Sequence, residues 1–276
     1  MSELKFYQKY EKLDKIGEGT FGVVYKGENK LTKEKVAIKE SHTYYFEGYD
    51  IKLETEKEIK FMKALNENPY STKLFDTFEE NKTIYIITEL CDTDLYRILQ
   101  KSKKGFTVYE IKIIMKQLNN VLEELRKKDM VHNDFKVENI LVKFKENSKE
   151  FQMKLSDYGL AKLLSATKDL KDLKNNEWGI EPYEGTKEEI ESLEKVDLLR
   201  IGINIYRMLF NTPYKTYDKM YKKIDKFVQD EDLKDLLKKL LVDDPKERID
   251  WDNYFNHKFF NIDKFDFDKV EKIVKP

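Results

Sequence analysis

Val131-His132-Asn133-Asp134-Phe135-Lys136-Val137-Glu138-Asn139 sets a carboxylate, an ammonium and a carboxamide at spacings of two and three residues, with the apolar run Ile140-Leu141-Val142 directly after. Other stretches stand in order around it. Upstream are Gly17-Glu18-Gly19-Thr20-Phe21-Gly22-Val23-Val24 and Val36-Ala37-Ile38-Lys39; downstream is Asp157-Tyr158-Gly159, 23 residues after Asp134. The glycine spacing alone is shared with dinucleotide-binding folds, which run from the glycines into a helix and need an acidic residue about 20 positions on. Here the glycines run into the strand-like Val23-Val24-Tyr25-Lys26-Gly27, turn at Glu28-Asn29-Lys30, and enter a second strand ending in Lys39. Strand, glycine turn and strand make a hairpin rather than the strand-to-helix turn of a dinucleotide fold.

In that order the stretches resemble the motifs of the protein kinase family: G-x-G-x-x-G-x-V, V-A-I-K, H-R-D-x-x-x-x-N and D-F-G. The resemblance covers roughly residues 10–260. It implies an α+β, two-lobed fold in one catalytic domain over 1–276. A small antiparallel-sheet lobe with one main helix (about 1–89) would join a larger, mostly helical lobe (about 95–276) through a hinge at about 89–94. It also implies an enzyme using ATP and Mg²⁺ to phosphorylate a protein hydroxyl.

Residue by residue, the resemblance assigns the backbone around Gly17, Gly19 and Gly22 to the phosphates. Lys39 pairs the α- and β-phosphates and is steadied by a helix carboxylate. Glu58, in Glu58-Ile59-Lys60-Phe61-Met62, matches that carboxylate; Glu54 and Glu56 are expected to be solvated. Asp134 would accept or orient the substrate hydroxyl, and Asn139 with Asp157 would supply hard oxygen ligands to Mg²⁺. Lys136 matches the D-x-K-x-x-N pattern of the Ser/Thr-specific members. Ile16, Val24, Ala37 and Leu141 match the adenine walls and Thr88 the gatekeeper. Glu89 and Cys91 match the hinge, and Asp94 the ribose contact. Tyr158 is expected to pack inward with Met62, Leu74 and His132, its hydroxyl needing a partner.

The chain departs from the pattern in places. Asn133 replaces an Arg that in the family grips a phosphorylated activation loop, and a carboxamide can neither carry charge nor pair bidentately with phosphate. Ser165, Thr167 and Thr186 therefore read as ordinary loop residues rather than switches. Gly179-Ile180-Glu181-Pro182-Tyr183-Glu184-Gly185-Thr186 holds the ingredients of the A-P-E region out of register. Glu184 is the expected partner of Arg248 in Asp244-Pro245-Lys246-Glu247-Arg248, with Glu188 and Glu189 as alternatives. Asp197-Leu198-Leu199-Arg200-Ile201-Gly202 resembles D-x-W-x-x-G without its Trp. Glu138 stands where basophilic members hold a substrate Arg; a solvated loop carboxylate is the plainer alternative.

The glycine region resembles that of cyclin-dependent kinases, but their P-S-T-A-I-R-E-type helix is absent. No cyclin is carried over, and no regulatory partner is read from the sequence. The rival functions are a pseudokinase serving as a binding or scaffold module, which Asn133 and the A-P-E region favour, and a small-molecule kinase, which Lys136 and Arg248 disfavour.

Composition sets the outer bounds. With 52 basic against 53 acidic residues, no global charge points to nucleic acid or an anionic membrane. One cysteine, Cys91, excludes an intrachain disulfide framework. No run approaches the about 18 apolar residues of a membrane span, and neither a signal core nor a myristoylation glycine opens the chain. The expectation is a soluble, intracellular protein, cytoplasmic or nuclear. Residue patterning predicts strands over 10–41, an irregular stretch over 41–50, a helix over 54–65 stopped by Pro69, and strands over 73–78 and 83–88. Val108, Ile111, Met115, Leu118, Leu122 and Leu125 mark a long amphipathic helix. Strands follow over 139–143 and 151–155, then helices from 188 onward.

Overall fold

A computed structural model describes residues 5–19, 22–46, 48–102, 104–164, 178–212 and 216–275. A helical turn, α1 (Phe6–Lys9), leads into β1 (Tyr10–Gly19), β2 (Gly22–Asn29) and β3 (Lys35–His42). After the short pair β4 (Tyr45–Phe46) and β5 (Tyr49–Asp50) come α2 (Ile51–Ala64), β6 (Leu74–Glu80) and β7 (Thr83–Glu89). One five-stranded antiparallel sheet forms in the order β1-β2-β3-β7-β6. Its β6–β7 turn is made by Asn81 and Lys82 at φ 49° and 60°, the left-handed pair that suits a two-residue hairpin.

Two details differ from the sequence reading. The stretch over 41–50 holds the β4–β5 hairpin rather than a plain loop. Helix α2 begins one turn early, because the Asp50 carboxylate caps it by accepting the Leu53 N–H. The helix then ends at Ala64, short of Pro69.

Beyond β7 lie β8 (Thr93–Asp94), α3 (Leu95–Lys101), α4 (Val108–Lys127) and β9 (Met130–Val131). Next come β10 (Ile140–Phe144), β11 (Phe151–Leu155), β12 (Lys162–Leu164) and β13 (Pro182–Tyr183). Helices α5 (Lys187–Glu194), α6 (Val196–Phe210), α7 (Tyr217–Phe227), α8 (Glu231–Leu240) and α9 (Trp251–Phe255) complete the order. In α4 the predicted stripe from Ile111 to Leu125 is at most 1% exposed, and Ile113, Ile114 and Val121 are buried too. The helix is therefore a central post rather than a surface element. Thr107 and Glu110 form its capping box. The buried Glu110 also accepts the Glu271 and Lys272 N–H groups, fastening the C-terminal segment to the start of α4.

Arg248 corrects one expectation. None of Glu184, Glu188 and Glu189 pairs with it. Its side chain, in a residue 4% exposed, donates to the carbonyls of Val242, Lys195 and Asp243. Glu189 instead closes a capping box with Thr186 at the start of α5, which gives Thr186 a structural duty. Ser165 and Thr167 lie outside the described residues.

Candidate active site

Helix α2 packs on the sheet so that Glu58, 4% exposed, reaches Lys39 of β3. The ammonium contacts both carboxylate oxygens, at 2.8 and 2.7 Å. Burial opposes the charge on Lys39, but the attraction of Glu58 and Asp157 holds its pKa above the ordinary value. Glu54 and Glu56 turn elsewhere, onto Lys57 and Lys52.

The loop between β9 and β10 is held from below. Asp197, at the start of α6, accepts the N–H groups of His132 and Asn133 at 2.7 and 2.9 Å. This pins Asn133 at φ 56°, a left-handed conformation that asparagine tolerates better than most residues. The Asn133 carboxamide donates to the Leu160 carbonyl at 3.2 Å, joining the loop to the Asp157-Tyr158-Gly159 turn. Burial lowers the pKa of His132 and keeps the imidazole neutral. Nε2–H then donates to the Ser156 carbonyl, and Nδ1 accepts the Asp134 N–H.

So fixed, Asp134 gathers three donors. Lys136 Nζ lies 2.6 Å and Asn139 Nδ2 2.9 Å from Oδ2, while an Arg200 N–H reaches Oδ1 at 3.5 Å. Asn139 also donates to the Asp134 carbonyl, so both its N–H groups are spent and its amide oxygen is left for a further contact. Asp157 sits exposed at φ 64°, the kind of local strain that surrounding structure must hold in place.

Lys39, Glu58, Asp134, Lys136, Asn139 and Asp157 line one cavity of about 580 Å³ between the sheet and the helical layer. Ile16, Val24, Ala37 and Leu141 supply apolar walls, and Thr88, Glu89, Cys91 and Asp94 its inner edge. Gly17, Gly19 and Gly22 roof it; the turn tip, Thr20 and Phe21, lies outside the described residues. Gly22 is sterically required, since a Cβ there would come 2.4 Å from the Glu40 carbonyl oxygen. At Gly19 no atom of the described residues lies within 4 Å of where a Cβ would stand, so the backbone there has open space beside it.

Several polar groups at the inner edge have partners of their own within the protein. The Glu89 carboxylate turns away from the cavity to Lys143 and Lys154 at 2.8 and 2.7 Å, and its N–H goes to the Lys73 carbonyl. Only its backbone carbonyl is left for a hinge contact. Burial pushes the Cys91 thiol up to about 12, so it is no nucleophile at neutral pH. Asp94 caps α3 by accepting the Arg97 N–H at 2.7 Å. Nothing in the sequence pattern marks Arg97. It donates to the Ile16 carbonyl at 2.7 Å and thereby ties α3 to β1 at the cavity mouth. Arg200 is equally unmarked, though it stands one helical turn after Asp197 and so faces the same loop.

Tyr158 is buried against His132, with ring centroids 5.1 Å apart, and shares its core with Met62 and Leu74. Its hydroxyl meets Ser71 Oγ at 2.8 Å. Tyr158→Phe would strand the buried Ser71 hydroxyl and is expected to cost about 1–2 kcal/mol. Adding Ser71→Ala should recover most of it. Chemical denaturation of the wild type, both single variants and the double variant checks this; losses that simply add would show that the hydroxyls are not coupled.

The protein kinase domain model matches residues 10–260. Cyclin-dependent kinase 9 of Danio rerio is 29% identical over 92% of this chain and 81% of its own length. Calcium-dependent protein kinase 5 of Plasmodium falciparum is 30% identical over 89% of the chain and 44% of its own length. Serine/threonine-protein kinase 36 of Mus musculus is 28% identical over 91% of the chain and 19% of its own length. The family match begins at the first residue of β1 and ends at the 3₁₀ turn Lys258–Phe260, taking in the sheet, the cavity and the helices beneath it. The chain belongs to the protein kinase domain family.

Proposed function

We propose that this protein transfers the γ-phosphate of Mg-ATP to a serine or threonine hydroxyl of a protein substrate, with residues 1–276 working as one catalytic unit. The carrying observation is that the Lys39–Glu58 pair and the Asp134–Lys136–Asn139 cluster face one cavity with a glycine roof. A volume of about 580 Å³ suits a nucleotide, within the roughly 300–1,000 Å³ usual for ligand sites.

The position of each residue supports the duty assigned to it. The apolar walls sandwich the base, the glycine backbone donates to the phosphates, and Lys39 neutralises them while Glu58 keeps its ammonium aimed. Asp134 orients the incoming hydroxyl and accepts its proton as oxygen bonds to phosphorus and the bond to ADP breaks. Lys136 balances charge beside the transferring group. Asn139 and Asp157 offer only oxygen to a metal, which fits Mg²⁺; when bound, this ion neutralises charge on the phosphate oxygens. Lys136, in the pattern of the Ser/Thr members, supports those acceptors over tyrosine, and Leu160 after the Asp157-Tyr158-Gly159 turn leans toward serine.

The binding-module reading draws on Asn133 and on an Arg248 that goes to carbonyls rather than to a carboxylate. The intact pairs at Lys39 and Asp134 weigh against it. A peptide library presented with Mg-ATP, with the modified residue identified by mass spectrometry, tests the proposal. Phosphoserine is the expected product; no transfer to any peptide would return the binding-module reading.

A further inference from the structure

A second cavity, of about 560 Å³, opens beside the loop against α6. Lys136 and Glu138 line both cavities, so the two adjoin there, beside Asp134, which Lys136 and Arg200 contact. Its wall carries three cations, Lys136, Arg200 and Arg207, against one carboxylate, Glu138. That carboxylate is engaged on one side: Arg207 reaches its Oε1 at 2.8 Å, while Oε2 is buried without a hydrogen-bond partner among the described residues. Arg200 and Arg207 stand two helical turns apart on one face of α6. Arg207 is braced by the Tyr96 ring, 5.2 Å from the guanidinium carbon. Among the described residues, the Arg200 guanidinium makes only the 3.5 Å contact to Asp134. A guanidinium has more N–H donors than one such contact uses, and its planar fork matches a carboxylate or a phosphate.

We infer that this cavity is a substrate subsite for an anionic side chain, carboxylate or phosphate, close in sequence to the acceptor hydroxyl. The inference rests on the protein-kinase reading and adds a substrate class to it. The Glu138 contact to a substrate Arg, considered from the sequence, is replaced: the chain's own Arg207 fills that role, and an incoming Arg would face cations. An anion would instead find two guanidiniums held along one wall, next to the hydroxyl that Asp134 orients. Because these groups are about one-third exposed or less, the attraction weakens with salt without vanishing.

The test uses the whole chain with Mg-ATP and a family of serine peptides of common sequence. Each carries Ala, Glu, phosphoserine or Arg at one position on either side of the acceptor. At one or two neighbouring positions, an anionic residue should raise kcat/KM about tenfold or more over Ala, and Arg should lower it. A gain with both Glu and phosphoserine assigns the subsite to anions generally, and a gain with phosphoserine alone assigns it to phosphate. Arg207→Glu should reverse the preference, so that Arg gains over Ala and Glu loses. Arg207→Gln, if the reversed variant folds poorly, should diminish the anion gain. A flat profile, a wild-type preference for Arg, or an anion gain unchanged in both variants would overturn the inference while the kinase reading stands. No transfer to any peptide would overturn both.

Discussion

Asp134→Asn is expected to slow phosphate transfer by about 10²- to 10⁴-fold, the usual worth of a positioned general base. Nucleotide affinity should change by less than about twofold, because the walls, glycines and Lys39 that would hold the nucleotide are untouched. The substitution keeps the shape of the side chain but replaces an oxygen that accepts from Lys136, Asn139 or Arg200 by an N–H₂ group. One donor must then face another donor. The loss should therefore appear in kcat with little change in nucleotide KM, and single-turnover measurements with titrated Mg-ATP separate the two. An Asp134→Asn protein that transfers at the wild-type rate would remove Asp134 from the chemistry.

Lys39→Met should act on both activity and stability. Loss of one preorganised charge at the phosphates typically costs about 10²- to 10³-fold in turnover. It also leaves Glu58, with its side chain 5% exposed, as a buried carboxylate without its partner, a change worth about 3–5 kcal/mol when the group stays charged. The pH dependence carries a definite sign. Without Lys39, burial raises the Glu58 pKa in the folded protein above its unfolded value of about 4.3. The destabilisation should be absent below that pH, grow as pH rises through the folded pKa, and level off above it. Lys39→Met with Glu58→Gln should regain most of the stability and none of the activity. Urea titrations at several pH values, run beside the transfer assay, check both halves; equal destabilisation across the acid range would show that Glu58 does not carry the charge.

The cavity was legible in the sequence to the degree that its parts are local. Glycines followed by β-branched residues, a lysine closing a strand and an Asp-Tyr-Gly turn each carry residue type and backbone form together. The geometry then follows from the sheet register, which sets Val24 opposite Lys39 and Ala37 opposite Thr88. What stayed hidden depends on tertiary pairing. Arg207 and Glu138 lie far apart in the chain, and nothing around either announces the other. Arg248 goes to carbonyls, which leave no signature in residue type. The early start of α2 was masked by the aromatic run before it, although Asp50 is an ordinary capping residue. Nor did the sequence show Phe6 stacking on Tyr85, with ring centroids 3.9 Å apart, to fasten the N-terminal turn to the sheet. Among the described residues, no helix is long and apolar enough to cross a membrane.

Among the described residues, Lys39 is paired to Glu58, Tyr158 is packed inward on Ser71, and Asn133 donates its carboxamide N–H to the Leu160 carbonyl. A loop phosphate would therefore gain little new pairing through that position. The most direct measurement takes protein treated with phosphatase, shown by mass to carry no phosphate, and assays transfer from Mg-ATP beside untreated protein and the Asp134→Asn variant. Stripped protein is expected to keep most of its rate, within about threefold, or roughly 0.65 kcal/mol of barrier. Both wild-type samples should exceed the variant by about two powers of ten or more. A tenfold fall restored by rephosphorylation, or a wild-type rate no higher than that of Asp134→Asn, would contradict a site that is catalytic and assembled without modification.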